Sequence, residues 1–180
     1  SLNYHSAGNE ISNNCCSQNT VGISIGQNCL NNFIVSNDCS NNGASGIDLW
    51  GRSDNNTVKW NNCSGNKSGI SIETCLDSVI DGNTCSDNSY YGIEIRNSPA
   101  TTISNNICSG NDYGIFIDSA NNCQIADNAM LDNDYGLHLM YSNSCTIRNN
   151  SFTGDGLMVW SSYYNSVSGN TVNSKPLVYY

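Results

Sequence analysis

The stretch Asn83-Thr84-Cys85-Ser86-Asp87-Asn88 returns, 23 residues further on, as Asn106-Ile107-Cys108-Ser109-Gly110-Asn111. Its kernel, Cys-Ser-x-Asn, also begins at Cys16, Cys39 and Cys63, and the cysteine position continues as Met130, Phe152 and Val172. The successive steps are 23, 24, 22, 23, 22, 22 and 20 residues. Two residues before each of these positions stands an asparagine: Asn14, Asn37, Asn61, Asn83, Asn106, Asn128, Asn150 and Asn170. Five residues before stands Ile11, Ile34, Val58, Ile80, Ile103, Ile125, Ile147 or Val167. A third row opens on Gly22, Gly46, Gly69, Gly92, Gly114, Gly136 and Gly156 and then alternates apolar with variable residues. Pro176-Leu177-Val178-Tyr179 is expected to continue that row without the glycine. Self-similarity at such a period marks a solenoid.

Leucine-rich repeats share this period but need a leucine framework and a helical return. Here the leucines are scattered, and each coil holds short alternating segments separated by Asn, Asp, Gly and Ser. Such segments read as strands and turns. The expected fold is all-β: a right-handed, single-stranded parallel β-helix of about eight coils of 20–24 residues, with residues 1–180 as one domain. Rungs about 4.8 Å apart make a rod roughly 35–40 Å long. A chain with only 38% hydrophobic residues, against 32 Asn and 27 Ser, is too poor in apolar residues for an ordinary globule. A ladder removes the difficulty. An inward asparagine at each bend bonds to the asparagine of the next rung, so the buried amides have partners. The row Cys16, Cys39, Cys63, Cys85 and Cys108 gives way to Met, Phe and Val, so it faces the core, where free cysteine acts as a small hydrophobe.

Ten cysteines suggest a disulfide scaffold. Stacked identical positions, however, hold their Cβ atoms about 4.8 Å apart, whereas a disulfide wants about 3.8 Å. The ladder is therefore expected to be reduced. Cys123 and Cys145 share one turn position on successive rungs and are candidates for pairing, and Cys15 is expected to point outward as a candidate intermolecular cross-link.

Alternation along the Gly strands sends two rows outward. The first is Ser24, Asp48, Ser71, Glu94, Phe116, His138 and Met158, and the second is Gly26, Trp50, Glu73, Arg96, Asp118, Met140 and Trp160. Acids beside aromatics suit a sugar-binding face. Asp48, Glu73, Glu94 and Asp118 are the candidate catalytic carboxylates, because one- and two-rung spacings bracket glycosidase geometries. The plainer reading is structural, with Glu73, Arg96 and Asp118 forming a charge ladder across neighbouring strands. Trp50, Arg96, Phe116, Tyr91, Tyr113, Tyr135 and Trp160 are the candidate carbohydrate or partner contacts, the three tyrosines standing just before the strand glycine on successive rungs. They serve equally as a self-supporting aromatic stack. His138, Met140 and Met158 offer imidazole and thioether donors suited to Cu(I), although outward methionines more often pack against a loop or partner. Sequons begin at Asn55, Asn62, Asn66 and Asn149.

The net charge of −9 argues against nucleic acid, and no apolar run reaches the roughly 18 residues of a membrane span. No Cys-x-x-Cys pair, phosphate loop, dinucleotide fingerprint or Ser-His-Asp pattern is present, and no cofactor is expected. The chain opens mid-pattern on Ser1-Leu2-Asn3, which reads as a segment of a longer or polymerising surface protein.

The unit Asp134-Tyr135-Gly136-Leu137-His138-Leu139-Met140-Tyr141-Ser142-Asn143-Ser144-Cys145-Thr146-Ile147-Arg148-Asn149-Asn150 resembles repeats of the NosD-like family, and Lys175-Pro176-Leu177-Val178-Tyr179-Tyr180 resembles segments found there. The resemblance places the chain in the broader group of right-handed β-helices of carbohydrate-binding proteins and sugar hydrolases. Similar arrays occur in surface and envelope proteins of methanogenic archaea, and NosD proteins themselves are periplasmic accessories of copper-enzyme maturation. The function expected first is an extracellular structural or binding solenoid of the cell surface, forming an envelope, sheath or filament and open to glycan binding. Its expected partners are copies of itself or adjacent domains stacked end to end, because open strand edges recruit strands. A polysaccharide lyase or glycoside hydrolase is the alternative, and a copper-accessory periplasmic protein the next.

Overall fold

The computed structural model describes residues 1–179, so Tyr180 at the end of the closing segment lies outside the described residues. The described chain is all-β and winds through three sheets. The first sheet stacks eight parallel strands: Leu2–Asn3, Ile23–Gly26, Ser45–Trp50, Ser68–Glu73, Tyr91–Arg96, Tyr113–Asp118, Tyr135–Met140 and Leu157–Trp160. The second stacks eight three-residue strands, from Glu10–Ser12 to Ser166–Ser168, centred on the Ile/Val row. The third runs from Thr84–Ser86 through Ile107–Ser109, Ala129–Leu131 and Ser151–Thr153 to Thr171–Val172 and carries the cysteine row. Single bridges through Cys15, Asp38 and Asn62 extend it to the first coils. Register is exact in repeat terms: Ile103 pairs with Ile80 and Ile125, and Cys108 with Cys85 and Met130.

Each coil contributes one thin layer of core. In the central coil Ile93 and Ile95 from the first sheet, Ile103 from the second and Cys108 from the third are all fully buried. The four cysteines Cys39, Cys63, Cys85 and Cys108 are buried free thiols, while Cys16 is half-buried at the end of the row.

The corners explain the asparagines. The residue before every row asparagine has a left-handed backbone: Asn13, Ser36, Trp60, Gly82, Asn105, Asp127, Asn149 and Gly169, with φ between 55° and 67°. Asn, Asp and Gly tolerate that region better than other residues. The asparagine that follows turns inward. Asn106 Oδ1 accepts from the backbone N–H of Asn83 (2.9 Å) and from Asn83 Nδ2 (3.0 Å). Asn106 Nδ2 then donates to Asn128 Oδ1 and to the Ile80 carbonyl, both at 3.0 Å. The ladder therefore has a direction, the acceptor of each amide link standing on the later rung.

A second ladder runs through the founding motif itself. The last residue of Cys-Ser-x-Asn forms the row Asn19, Asn42, Asn66, Asn88, Asn111 and Asn133, each backbone N–H donating to the next side-chain oxygen, and the row ends on Asp155. Asn66 is buried in this row, so its sequon is not a surface acceptor.

The strand glycines serve space rather than conformation. A Cβ on Gly92 would stand 2.5 Å from the Gly114 carbonyl oxygen and 3.2 Å from Cys108 Cβ, whereas one on Gly156, in the last such strand, would meet nothing within 4 Å.

The closing segment corrects one expectation. Lys175–Pro176 does not extend the glycine row of the first sheet but folds back antiparallel on Thr171–Val172 in the third. Asn173 and Ser174, both left-handed at φ 50° and 62°, turn the chain, and the Leu177 N–H donates to the Asn170 carbonyl at 2.8 Å. Among the described residues no helix is long and apolar enough to cross a membrane.

Candidate glycan-binding face

The outer side of the first sheet carries both expected rows in register: Asp48 pairs with Ser71, Ser71 with Glu94, Glu94 with Phe116, Phe116 with His138 and His138 with Met158. Beside it run Trp50, Glu73, Arg96, Asp118, Met140 and Trp160. Facing outward does not mean exposed. Phe116 and His138 are buried beneath the tyrosine row, where Tyr113 and Tyr135 stack at 4.9 Å and 12°. Tyr91 continues the wall 5.4 Å from Tyr113.

The charge ladder differs from the sequence reading. Arg96 is not paired with Glu73. Its Nε donates to Glu94 Oε1 at 2.6 Å, its Nη1 to Asp118 Oδ2 at 3.1 Å and its Nη2 to Tyr91 Oη at 3.2 Å. The guanidinium also lies 4.8 Å from the centre of the Phe116 ring. Glu94 and Tyr91 sit on the same strand as Arg96, within reach of its fork, while Glu73 on the preceding rung is exposed.

A groove of about 460 Å³ opens at this point, lined by Ala44, Ser45, Lys67, Ser68, Tyr90, Tyr91, Glu94 and Arg96. Its cause lies in the position before the strand glycine. That position is serine at Ser45 and Ser68 and then becomes Tyr91, so two small residues leave room that a tyrosine wall closes on one side. Lys67 and Tyr90, two before the glycine, form its outer rim, with Lys67 Nζ 5.5 Å from the Tyr90 ring centre. Lys67 was missed from sequence. The signal was its offset, shared with Tyr90, rather than its residue type.

Asp48 lies on the N-terminal flank. Burial, then the charges of Glu73 and Glu94, push its carboxyl up to about 6. Trp50 lies down over Gly26 and donates to Ser24 Oγ at 3.3 Å, so it bounds the face rather than entering the groove. Trp160, on the last rung, is exposed.

The remaining candidates sit elsewhere. Cys15 is exposed, as expected. Cys123 and Cys145 are buried free thiols at one corner, and both donate to the Ala120 carbonyl, at 3.4 and 3.6 Å; the neighbouring Cys145 and burial hold the Cys123 thiol well above its ordinary range. His138 is packed against Phe116, Tyr113 and Tyr135, and both of its ring nitrogens are buried without a hydrogen-bond partner. Burial lowers its pKa, with Asp118 pulling the other way.

The family model described as "Periplasmic copper-binding protein (NosD)" matches residues 1–134 and again 98–177. Comparison with curated proteins finds no match. Among solved structures, a double mutant of the periplasmic alginate epimerase AlgG superposes with a TM-score of 0.85 at 17% identity, over 93% of this chain and 46% of that one. The A-module of mannuronan C-5 epimerase AlgE6 from Azotobacter vinelandii gives 0.78 at 16% identity, over 99% and 60% of the two chains. DFA-IIIase from Arthrobacter chlorophenolicus A6, in complex with GF2, gives 0.62 at 12%, over 85% and 42%. The chain thus spans about half the length of the AlgG structure, and likeness at these identities establishes the fold.

Proposed function

The chain belongs to the NosD family, and we propose that it is an extracytoplasmic glycan-binding solenoid whose ligand lies along the outer face of the first sheet. The observation that carries this reading is the groove beside Tyr91. It joins aromatic faces to a fixed set of hydrogen-bonding groups, the combination that orients a sugar ring. The face continues on both sides, from Trp50 to Trp160 five rungs away, about 24 Å, which suits a chain of several sugars better than a monosaccharide. The sugar-modifying activities of the structural neighbours agree with a carbohydrate ligand.

Charge narrows the class. Asp48, Glu73, Glu94 and Asp118 outnumber Arg96 and Lys67 on this face, and the whole chain carries −9. A polyuronate would meet a repulsive field, so a neutral glycan is the ligand that fits. Calorimetric titration with neutral and uronate oligosaccharides tests this directly. Neutral glycans should bind, and Tyr91→Ala should weaken them about tenfold, equivalent to about 1.4 kcal/mol. Polyuronate binding that is tighter and weakens with salt would overturn the assignment.

A second reading rests on Asp48. Its carboxyl, up at about 6, stands two rungs from Glu94, on the order of 10 Å, a layout open to acid–base hydrolysis. Release of reducing ends that disappears in Asp48→Asn would favour it. End-to-end stacking, on copies of itself or on adjacent domains, is a further proposal. The outer edges of Leu157–Trp160 and Ser166–Ser168 are unpaired among the described residues, whereas Lys175–Pro176 covers the third sheet.

A further inference from the structure

We propose that the groove beside Tyr91 is closed at one end and therefore takes the end of a glycan chain rather than its middle. This rests on the glycan reading above and narrows it to a terminal sugar. The lining runs from Ser45 through Ser68 to Tyr91, which are register partners on three successive strands of the first sheet. The outer two of these strands are about 10 Å apart. The groove thus runs along the rod, across the strands.

Tyr91 is the closed end, and it is held in place. Its Oη accepts from Arg96 Nη2 at 3.2 Å, and its ring lies 5.2 Å from the Phe116 ring. Tyr113 stands 5.4 Å behind it, and Tyr135 stacks on Tyr113 at 4.9 Å. To swing away, Tyr91 must displace that stack. The floor ends at the same place. Beyond Glu94 its row continues as Phe116 and His138, only 5% and 9% exposed beneath the rings. A sugar chain lying on the sheet has no floor past Glu94. Towards the other end the row of Tyr91 continues as Ser68, Ser45 and Val21, and Trp50 lies down over Gly26. No ring of that row stands in the way, so the rest of the chain leaves in the direction of Trp50.

The closed end also carries the chemistry of a chain end. An interior sugar is joined through an oxygen on both sides, whereas a terminal one ends on a free hydroxyl. Glu94 lines the groove with its side chain only 13% exposed, and a carboxylate accepts hydrogen bonds without donating. A free hydroxyl donates to it. A glycosidic oxygen brings no proton and would set one acceptor against another. Any substituent on that hydroxyl would need the space of the Tyr91 ring, so the wall selects by exclusion.

The test is made on the ligand, with the full chain unaltered. Calorimetry compares neutral β-1,4-linked hexamers of glucose, mannose and N-acetylglucosamine, each free and in two end-blocked forms. One form is reduced to the alditol at its reducing end, and the other is O-methylated on the 4-hydroxyl of its non-reducing end. For each hexamer that binds, one blocked form should lose roughly tenfold or more in affinity while the other stays within about twofold. The form that loses names the end that enters. Tyr91→Ser places in this row the residue that Ser45 and Ser68 already hold, and it opens the wall. It should bring blocked and free hexamers within about twofold of each other, whatever it does to affinity itself. Both blocked forms binding like the free hexamer would overturn the chain-end inference and leave the glycan reading standing. A preference that survives Tyr91→Ser overturns Tyr91 as the closed end. Binding of no hexamer at all overturns both readings.

Discussion

Replacing Asn106 by alanine removes one link from the middle of the corner ladder, and the structure says what each end loses. Asn106 is fully buried. Without its Oδ1, the Asn83 backbone N–H loses its 2.9 Å acceptor and is left buried without a partner. Asn83 Nδ2 fares better, keeping the carbonyls of Val58 and Asp81. Asn128 Oδ1 still receives the Asn106 backbone N–H at 3.0 Å. One orphaned buried donor costs about 1–3 kcal/mol and each lesser link about 0.5–1.5 kcal/mol, so Asn106→Ala should cost roughly 2–4 kcal/mol. The ends should behave unequally. Asn14 is exposed and only donates, to Asn37 Oδ1 and the Ser12 carbonyl, so Asn14→Ala should cost less than about 1 kcal/mol. Asn170, at the other end, still accepts the Asn150 N–H at 2.8 Å, and its loss should resemble that of Asn106. Urea unfolding compares the three variants, and amide exchange at Asn83 reads the orphan directly, which matters because solenoids can unfold in parts. Equal costs for Asn14→Ala and Asn170→Ala would refute the directional ladder.

Three more outcomes follow from the packing and the pKa shifts. Gly92→Ala should destabilise strongly, because its methyl meets the Gly114 carbonyl, while Gly156→Ala should be neutral; thermal melts of both variants decide, and equal effects would remove the close-approach explanation. Native alkylation should label Cys15 first and leave Cys39, Cys63, Cys85 and Cys108 untouched until unfolding, burial pushing the Cys63 and Cys85 thiols well up; intact disulfides among these four would contradict it. Asp48 is raised from 3.8 to about 6 in the folded chain, so the native state binds the extra proton between those values and stability should fall as pH rises through that window. His138, lowered by burial, acts in the opposite sense below its ordinary range. The wild type minus Asp48→Asn difference in melting temperature between pH 4 and 7 isolates the carboxylate, and no pH dependence in that difference would count against its burial.

The solenoid was legible because its period repeats the same physical need on every rung: an apolar inward residue on each side and a partner for each buried amide. The Asn14-to-Asn170 ladder, the buried thiols and the outward rows all follow from that period. Single, non-repeated choices were not legible. Arg96 had carboxylates on three sides, and it pairs with Glu94 and Asp118, over the Phe116 ring, rather than with Glu73. Pro176–Tyr179 imitates the apolar alternation of a strand, but two left-handed residues just before it reverse the chain. The groove arises from a change in the repeat, serine to tyrosine, and a reading that seeks constancy passes over it.

The claim on which the functional account rests is that sugars lie on the first sheet beside Tyr91. Amide-resolved NMR of the chain during titration with a neutral oligosaccharide tests it most directly. The account predicts shifts concentrated at Ser45, Ser68, Tyr91, Glu94 and Arg96, with the second sheet, from Ile11 to Val167, unmoved. Shifts confined to the second or third sheet, or none up to the solubility limit of the sugar, would contradict it.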